Sequence, residues 1–344
     1  MLQCCRAQCG RRFEARFRDG VLGSRADDAS SIRGVVRLKF VVISLSVLAV
    51  LIVVVAVWLW TPDKPRSLLE AKYLASPADM MNVGDTRLHV RDSGPKSAPA
   101  VILIHGFGSS LHTWEPWAQA LQSDHRVIRF DLPGSGLSEP DPTGRYDDER
   151  TMDLIVALMD RLGVANAAFI GNSIGGRMAW KFAALHPDQA TKLVLVSPDG
   201  FASKGFEYGK KPKVPVMAHA MRYILPRAFL RSSLAPAYGN PALLTEEVVD
   251  RYYELMLAPG SRSALIARME QTVLPDPVPL LRQIQVPVLL VWGEKDGMIP
   301  AANAADYLRD LPQARLVTFP ALGHVPHEEL PEQSLVPVRA FLAQ

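Results

Sequence analysis

Cysteine is almost missing from this 344-residue chain, and its placement excludes a good deal. The only three, Cys4, Cys5 and Cys9, lie in the first nine residues, so nothing after residue 40 can form a disulfide or a thiolate metal site. No histidine stands beside them to complete a zinc site. The folded part is therefore held by packing alone. A basic surplus is missing too. Residues 1–39 hold nine Lys/Arg against four Asp/Glu, so the formal net charge of +3 leaves the remainder slightly acidic. That argues against a nucleic-acid partner, which needs a basic stripe. At 48% hydrophobic and 21% charged, the chain is globular, either one large α/β domain with additions or about two domains.

Residues 40–60 read FVVISLSVLAVLIVVVAVWLW, with only Ser44 and Ser46 polar and nothing charged. Such a helix spans roughly 31 Å, close to the hydrocarbon thickness of a bilayer. A buried core helix and a cleaved signal peptide are the rivals. A signal peptide carries an apolar core of about 7–15 residues and a small-residue cleavage site. Here the run ends in Trp58-Leu59-Trp60-Thr61-Pro62, which suits an interfacial anchor. No glycine interrupts the run, so a GxxxG pairing face is absent. Arg33, Arg37 and Lys39 precede the span with six more arginines upstream, whereas Lys64, Arg66 and Lys72 follow it among Asp63 and Glu70. The positive-inside rule then places the tail, 1–39, in the cytoplasm and residues 61–344 outside it, in the periplasm if the source is Gram-negative. Residues 1–30 show no apolar period and no capping pattern. They read as a flexible tail, or as sequence that is not translated.

Residues 61–79 read as a Pro-containing linker with one helical turn at 68–74. Apolar runs bounded by turn residues then predict strands over 87–91, 100–104, 126–130, 167–171, 193–196, 286–291 and 315–319. Helical spacing falls between them at 113–122, 151–162, 174–185, 301–311 and 332–342. Alternating strand and helix implies an α/β fold with a mainly parallel sheet and helices on both faces. The core is expected over 80–198 and 286–344. Residues 199–285 contain no convincing strand and read as a helical cap inserted between two sheet strands.

The chemistry converges on Ser173. Gly171-Asn172-Ser173-Ile174-Gly175 matches G-x-S-x-G between a predicted strand and a predicted helix, where a sharp turn exposes the serine hydroxyl. A serine nucleophile needs a base and an acid that orients the base. Of eight histidines, His324 follows the last predicted strand; His327 reads as a supporting or helix-start residue. His89 sits in a strand, His112, His125 and His186 lie in or beside surface helices, and His219 is in the cap. Asp296, just past a strand in Trp292-Gly293-Glu294-Lys295-Asp296, is the acid, with Asp199 as the alternative and Glu294 pointing along its loop. Sites in open parallel sheets gather beyond the carboxyl ends of strands, where all three chosen residues fall. The backbone N–H groups of Ile174 and Phe107 are the candidate oxyanion donors.

In order and spacing, HGFG, DLPGSGLS, GNSIGG, WGEKD and GH resemble the α/β-hydrolase superfamily over residues 80–344. Within it the chain is similar to serine esterases and lipases of the membrane-associated bacterial type. The resemblance implies an eight-stranded sheet, the cap and the roles of Ser173, Asp296 and His324. GNSIGG also resembles the C–C bond hydrolases of aromatic ring degradation, so that activity stays open beside ester hydrolysis. A catalytically silent binding protein is a third reading, which a complete triad disfavours. Serine at the nucleophile position departs from the aspartate of haloalkane dehalogenases and epoxide hydrolases. Ser93-Gly94-Pro95-Lys96 fits S-x-x-K only in a loop, Gly134-Ser135-Gly136 lacks a dinucleotide loop's third glycine, and no Walker, HExxH or EF-hand pattern occurs. No metal and no cofactor is expected. The substrate is expected to be a small-molecule ester with an apolar acyl chain, because the cap is rich in Met217, Met221, Tyr223, Phe229, Tyr252, Tyr253, Met256 and Met269.

Overall fold

The computed structural model describes residues 36–202 and 207–344; Cys4, Cys5, Cys9 and the tail through residue 35 lie outside the described residues. The chain divides into two units, Met1–Trp60 and Thr61–Gln344. In the first, helix α1 covers Val36–Leu59, 24 residues, with its apolar side chains exposed. It begins four residues before the expected span and so takes Arg37 and Lys39 into its first turn. By length and composition it suits a membrane span or a signal sequence.

The second unit is built on one eight-stranded sheet in the order β1-β2-β4-β3-β5-β6-β7-β8. The strands are β1 Met80–Val83, β2 Thr86–Ser93, β3 Ala100–Ile104, β4 Arg126–Phe130, β5 Ala167–Asn172, β6 Ala190–Val196, β7 Val288–Gly293 and β8 Ala314–Phe319. β1 and β2 run antiparallel to their neighbours, and β4, β3, β5, β6, β7 and β8 are mutually parallel. Successive side chains of a strand face opposite sides, so each apolar run feeds two cores. Ile102, Ile104, Phe169, Leu193, Leu195, Leu290 and Trp292 enter one. It is covered by helices α4 Asp148–Leu162, α5 Ile174–Leu185 and α11 Ala304–Asp310 through Ile155, Phe182 and Tyr307. Val101, Leu103, Ile170, Val194 and Val291 enter the other, covered by α3 Glu115–Leu121 and α13 Pro331–Leu342 through Trp117, Val338 and Phe341.

Several boundaries differ from expectation for local reasons. α3 starts only at Glu115, after a 3-10 turn over Leu111–Trp114, because a proline enters its first turn. α4 starts three residues early, because the Asp147 side chain accepts a hydrogen bond from the Arg150 N–H and caps it. The segment 61–79 is no loose tether. It contains α2, Arg66–Tyr73, whose Leu69 is buried against Leu137, Leu255 and Ala258. Between β6 and β7 run α6 Val216–Ala220, α7 Arg227–Leu234, α8 Glu246–Met256, α9 Ser261–Gln271 and α10 Val278–Leu281, and the described residues there include no strand.

Candidate active site

Ser173 occupies the junction of β5 and α5 with φ 56° and ψ −121°. A side chain in this region is strained by about 1–3 kcal/mol, a cost usually met at functional positions. Three backbone hydrogen bonds hold it there. The Ser173 N–H donates to the Val196 carbonyl at 3.1 Å, and its own carbonyl accepts from the N–H groups of Arg177 at 3.1 Å and Asp199 at 3.0 Å. Gly175 permits the turn: a Cβ there would sit 2.2 Å from the Ile104 carbonyl oxygen. Hence α5 starts flush against the end of β3, with the Ile174 N–H at the helix N-terminus, among the amides that lack intrahelical partners.

The loop after β3 approaches the same serine. A Cβ on Gly106 would lie 3.3 Å from the Ser173 Cβ and 2.9 Å from the Asn172 Oδ1, so any side chain there would press on both. Phe107 follows with its ring 42% exposed. His105 pins this loop: its Nδ1–H donates to the Gly106 carbonyl at 2.8 Å, and its Nε2 accepts from the Leu132 N–H at 3.0 Å. That pair of bonds sets a neutral tautomer, and full burial pushes the imidazole pKa below its usual value.

His324 and Asp296 come from the loops after β8 and β7. The His324 Nδ1–H donates to Asp296 Oδ2 at 2.8 Å, which leaves Nε2 as the nitrogen free to act as a base. Asp296 Oδ1 accepts from the N–H groups of Met298 and Ile299, both at 2.8 Å, so the carboxylate is fixed before it orients the imidazole. The His324 backbone is fixed as well. Its N–H donates to the Ala237 carbonyl at 2.7 Å, and its carbonyl accepts from Asn172 Nδ2 at 2.9 Å. Glu329 braces the turn before it, accepting from the Gly323 N–H at 2.6 Å and the Gly239 N–H at 2.9 Å.

The other candidates lie elsewhere. Asp199 pairs with Arg177 Nη1 at 2.5 Å and does not hold His324. Glu294, expected to point along its loop, instead reaches across to β8, where it accepts from Thr318 Oγ1 at 2.8 Å. His327 is buried at the start of α12, Pro326–Glu329, stacked on Trp114 at 4.0 Å between centroids. Burial drives its pKa well below the ordinary imidazole value. His112, expected beside a surface helix, is buried instead; its Nε2–H donates to the Tyr73 carbonyl at 3.0 Å and its pKa falls to about 4 through burial.

A second His–Asp pair is buried, and no spacing in the sequence announces it. His89 Nδ1–H donates to Asp131 Oδ2 at 2.8 Å, while Asp131 Oδ1 accepts from the Leu111 N–H at 2.6 Å and Oδ2 from the Leu137 N–H at 2.9 Å. Burial opposes the Asp131 charge, but the neighbouring His89, together with His112 and His105 beyond it, outweighs it and holds the carboxyl at about 2. Fully buried, this pair staples the loops after β3 and β4. Equally hidden in the sequence is a chain from cap to loop: Ser109 Oγ donates to the Tyr252 hydroxyl at 3.2 Å, which donates to Glu328 Oε2 at 3.0 Å.

The apolar residues picked out in the cap do not act as one group. Met217, Tyr223 and Phe229 are exposed, whereas Tyr252 is buried. Met256 reaches Gly108, its Cε 3.6 Å from where a Cβ on that glycine would stand. A cavity of about 20 Å³ lies here, lined by Gly108, Ser109, Tyr252, Met256 and Leu265, with room for one water molecule.

The sequence matches the model of the alpha/beta hydrolase fold over residues 99–331. A dihydrolipoyllysine-residue acetyltransferase component of an acetoin cleaving system from Pseudomonas putida is 30% identical over 265 residues, 76% of this chain and 68% of that one. A 2-hydroxy-6-oxononadienedioate/2-hydroxy-6-oxononatrienedioate hydrolase from Comamonas testosteroni is 27% identical over 249 residues, 69% of this chain and 85% of that one. Among solved structures, the enol-lactonase from Burkholderia xenovorans LB400 superposes with a TM-score of 0.67 at 26% identity, covering 77% of this chain and 100% of that one. With its sheet order and strained serine turn, the chain belongs to the α/β-hydrolase fold family.

Proposed function

We propose that the protein is a membrane-anchored serine hydrolase that cleaves carboxylic esters through an acyl-enzyme. The observation that carries this reading is a strained, positive-φ Ser173 at the β5–α5 turn, together with a His324 whose Nδ1 is committed to Asp296 at 2.8 Å. The Ser173 Oγ attacks the ester carbonyl while His324 Nε2 takes its proton. The C–O bond then breaks, and the same proton passes to the departing alcohol. Water, deprotonated by His324, attacks the acyl-enzyme; the bond to Oγ breaks, Nε2 returns the proton to Oγ, and the acid leaves. The N–H groups of Ile174 and Phe107 receive the oxyanion, each worth roughly 3 kcal/mol of barrier in comparable sites. The structurally similar enol-lactonase is named for a lactone, a cyclic ester, which supports this reading.

A second reading, hydrolysis of a C–C bond in a dienone acid, is favoured by the Comamonas relative. Helix α1 serves as the anchor, with the N-terminus cytoplasmic and residues 61–344 outside, as the flanking charges direct. The test is a panel of p-nitrophenyl esters beside a ring-cleavage dienone acid, run with wild type and Ser173→Ala. Ester turnover that falls by several orders of magnitude in the variant supports the proposal. Turnover of the dienone acid alone moves the assignment to the C–C reaction, and no labelling of Ser173 by a fluorophosphonate makes the protein a silent binder.

A further inference from the structure

We infer that the cap carries a surface, formed by α6 and the basic segment before it, that docks on the headgroups of an anionic bilayer. Val216 and Met217 open α6 at 85% and 79% exposure, more than any other large apolar residue described in the second unit. Scattered single apolar residues on a surface need no explanation, but two adjacent ones this exposed are unfavourable in water unless something covers them. Lys210, Lys211 and Lys213 immediately precede them, and all three are exposed. Lys210 pairs with Glu207 yet stays exposed, so all three lysines face solvent, with Lys211 and Lys213 outside that ion pair. Basic side chains beside exposed apolar ones suit an interface of anionic headgroups over acyl chains.

Chain connectivity supplies the second argument. α1 ends at Leu59, two residues before Thr61. The Thr61 N–H donates to the Tyr223 carbonyl at 2.8 Å, and Thr61 Oγ1 accepts from the Leu225 N–H at 3.1 Å. Thr61 is the first residue of the folded unit, so the segment just after α6 holds that unit's entry point. The next residues tie into the cap as well. Asp63 pairs with Arg262 at 2.6 Å, and the Lys64 N–H donates to the Leu257 carbonyl at 2.8 Å. If α1 lies in a bilayer, as the proposed function has it, the cap is the part of the folded unit stitched to the membrane exit. Docking then turns the cap, rather than the far edge of the sheet, toward the lipid. The inference rests on the membrane reading of α1 and is independent of which bond the enzyme cleaves.

The test uses the full chain with Cys4, Cys5 and Cys9 changed to serine, reconstituted in vesicles of phosphatidylcholine with or without about 30% phosphatidylglycerol. A nitroxide is attached at Met217→Cys, with Leu185→Cys as an exposed control on α5. Membrane depth is read from collision with oxygen against a water-soluble nickel chelate. We expect the label at 217 to enter the headgroup–acyl boundary in the anionic vesicles and the label at 185 to stay in water. Lys211→Gln with Lys213→Gln should lower the docked-to-undocked ratio by about fivefold for each lysine. A label at 217 that stays aqueous in carbonate-resistant, membrane-inserted protein overturns the docking and leaves the anchor intact. Protein released by carbonate overturns the anchor and the docking together. Dipolar broadening at 217 that vanishes on dilution in lipid assigns the face to a second copy and overturns the inference.

Discussion

The carboxamide of Asn172 donates to the carbonyl of His324 at 2.9 Å and to that of Val196 at 3.1 Å. One buried side chain, directly before Ser173, therefore fixes the loop that carries the proposed base to the strand that carries the proposed nucleophile. It also backs the Gly106 loop.

Asn172→Ala should leave two carbonyls without this donor, a loss of about 1–3 kcal/mol for each one that stays dry. The expected result is a lower melting temperature and a kcat reduced about 10- to 100-fold with KM little changed, because the misplacement affects the reacting groups rather than substrate affinity. Steady-state kinetics beside a thermal melt checks this. A melting temperature that drops while kcat holds would reduce Asn172 to a structural bond.

Asp296 and Asp199 should separate cleanly. Asp296→Asn keeps the shape but no longer accepts from His324 Nδ1–H, which favours the wrong tautomer at a cost of about 10⁴-fold in kcat. Asp199→Asn should cost far less in turnover, since Asp199 serves Arg177, and should show mainly as lost stability from the weakened buried ion pair. Comparable loss of kcat in both variants would mean that the acid is shared or misassigned.

What could be read from the sequence was what is local. The β5–Ser173–α5 turn is contiguous, so strand, motif and helix all sit in one window. The strands β3 to β7 are apolar runs buried on both faces and announce themselves. β1 has only four residues, one of them Asn82, too few to show a period. The start of α4 was hidden because its first turn, Asp148-Glu149-Arg150, is polar. The Asn172–His324 bond joins residues 152 positions apart, and the buried state of His112 depends on a carbonyl 39 positions away. No spacing rule carries such pairings; they exist only once the sheet has brought the loops together.

Glu254 ties α8 to the segment that leaves α1. Its carboxylate accepts from the Tyr73 hydroxyl at 2.6 Å, Lys72 Nζ at 2.7 Å and Lys64 Nζ at 2.9 Å. Burial opposes its charge, but the bonds from Lys72, Tyr73 and Lys64 outweigh it and hold the carboxyl at about 2. Because this lies below an unfolded glutamate's value of about 4.3, the stabilisation is fully present above pH 5 and is lost as pH falls toward 2. Glu254→Gln should therefore melt lower than wild type at pH 7, with the gap closing between about pH 5 and pH 2. A gap that stays constant across that range would show that the charge contributes nothing and only packing was lost.

We expect acyl preference to be set where the cap meets Gly108, two residues beyond the Gly106 that lies against Ser173. Met256 and Leu265 close on Gly108, and the cavity between them holds only about 20 Å³. A longer acyl chain must move these side chains, and methionine, with three rotatable bonds, is the one able to yield. Each methylene then buried is worth roughly 0.8 kcal/mol, or about fourfold in transition-state binding when fully realised. We expect kcat/KM to rise along p-nitrophenyl esters from acetate to about hexanoate or octanoate and then level off where the pocket ends. Met256→Ala should extend the rise to longer chains. Met256→Trp, which fills the space with a rigid ring, should return the optimum to acetate while leaving acetate turnover near wild type. A monotonic fall from acetate in the wild type would mean that the cap stays shut on a small pocket, and the substrate would then be a short or cyclic ester rather than a lipid-like one.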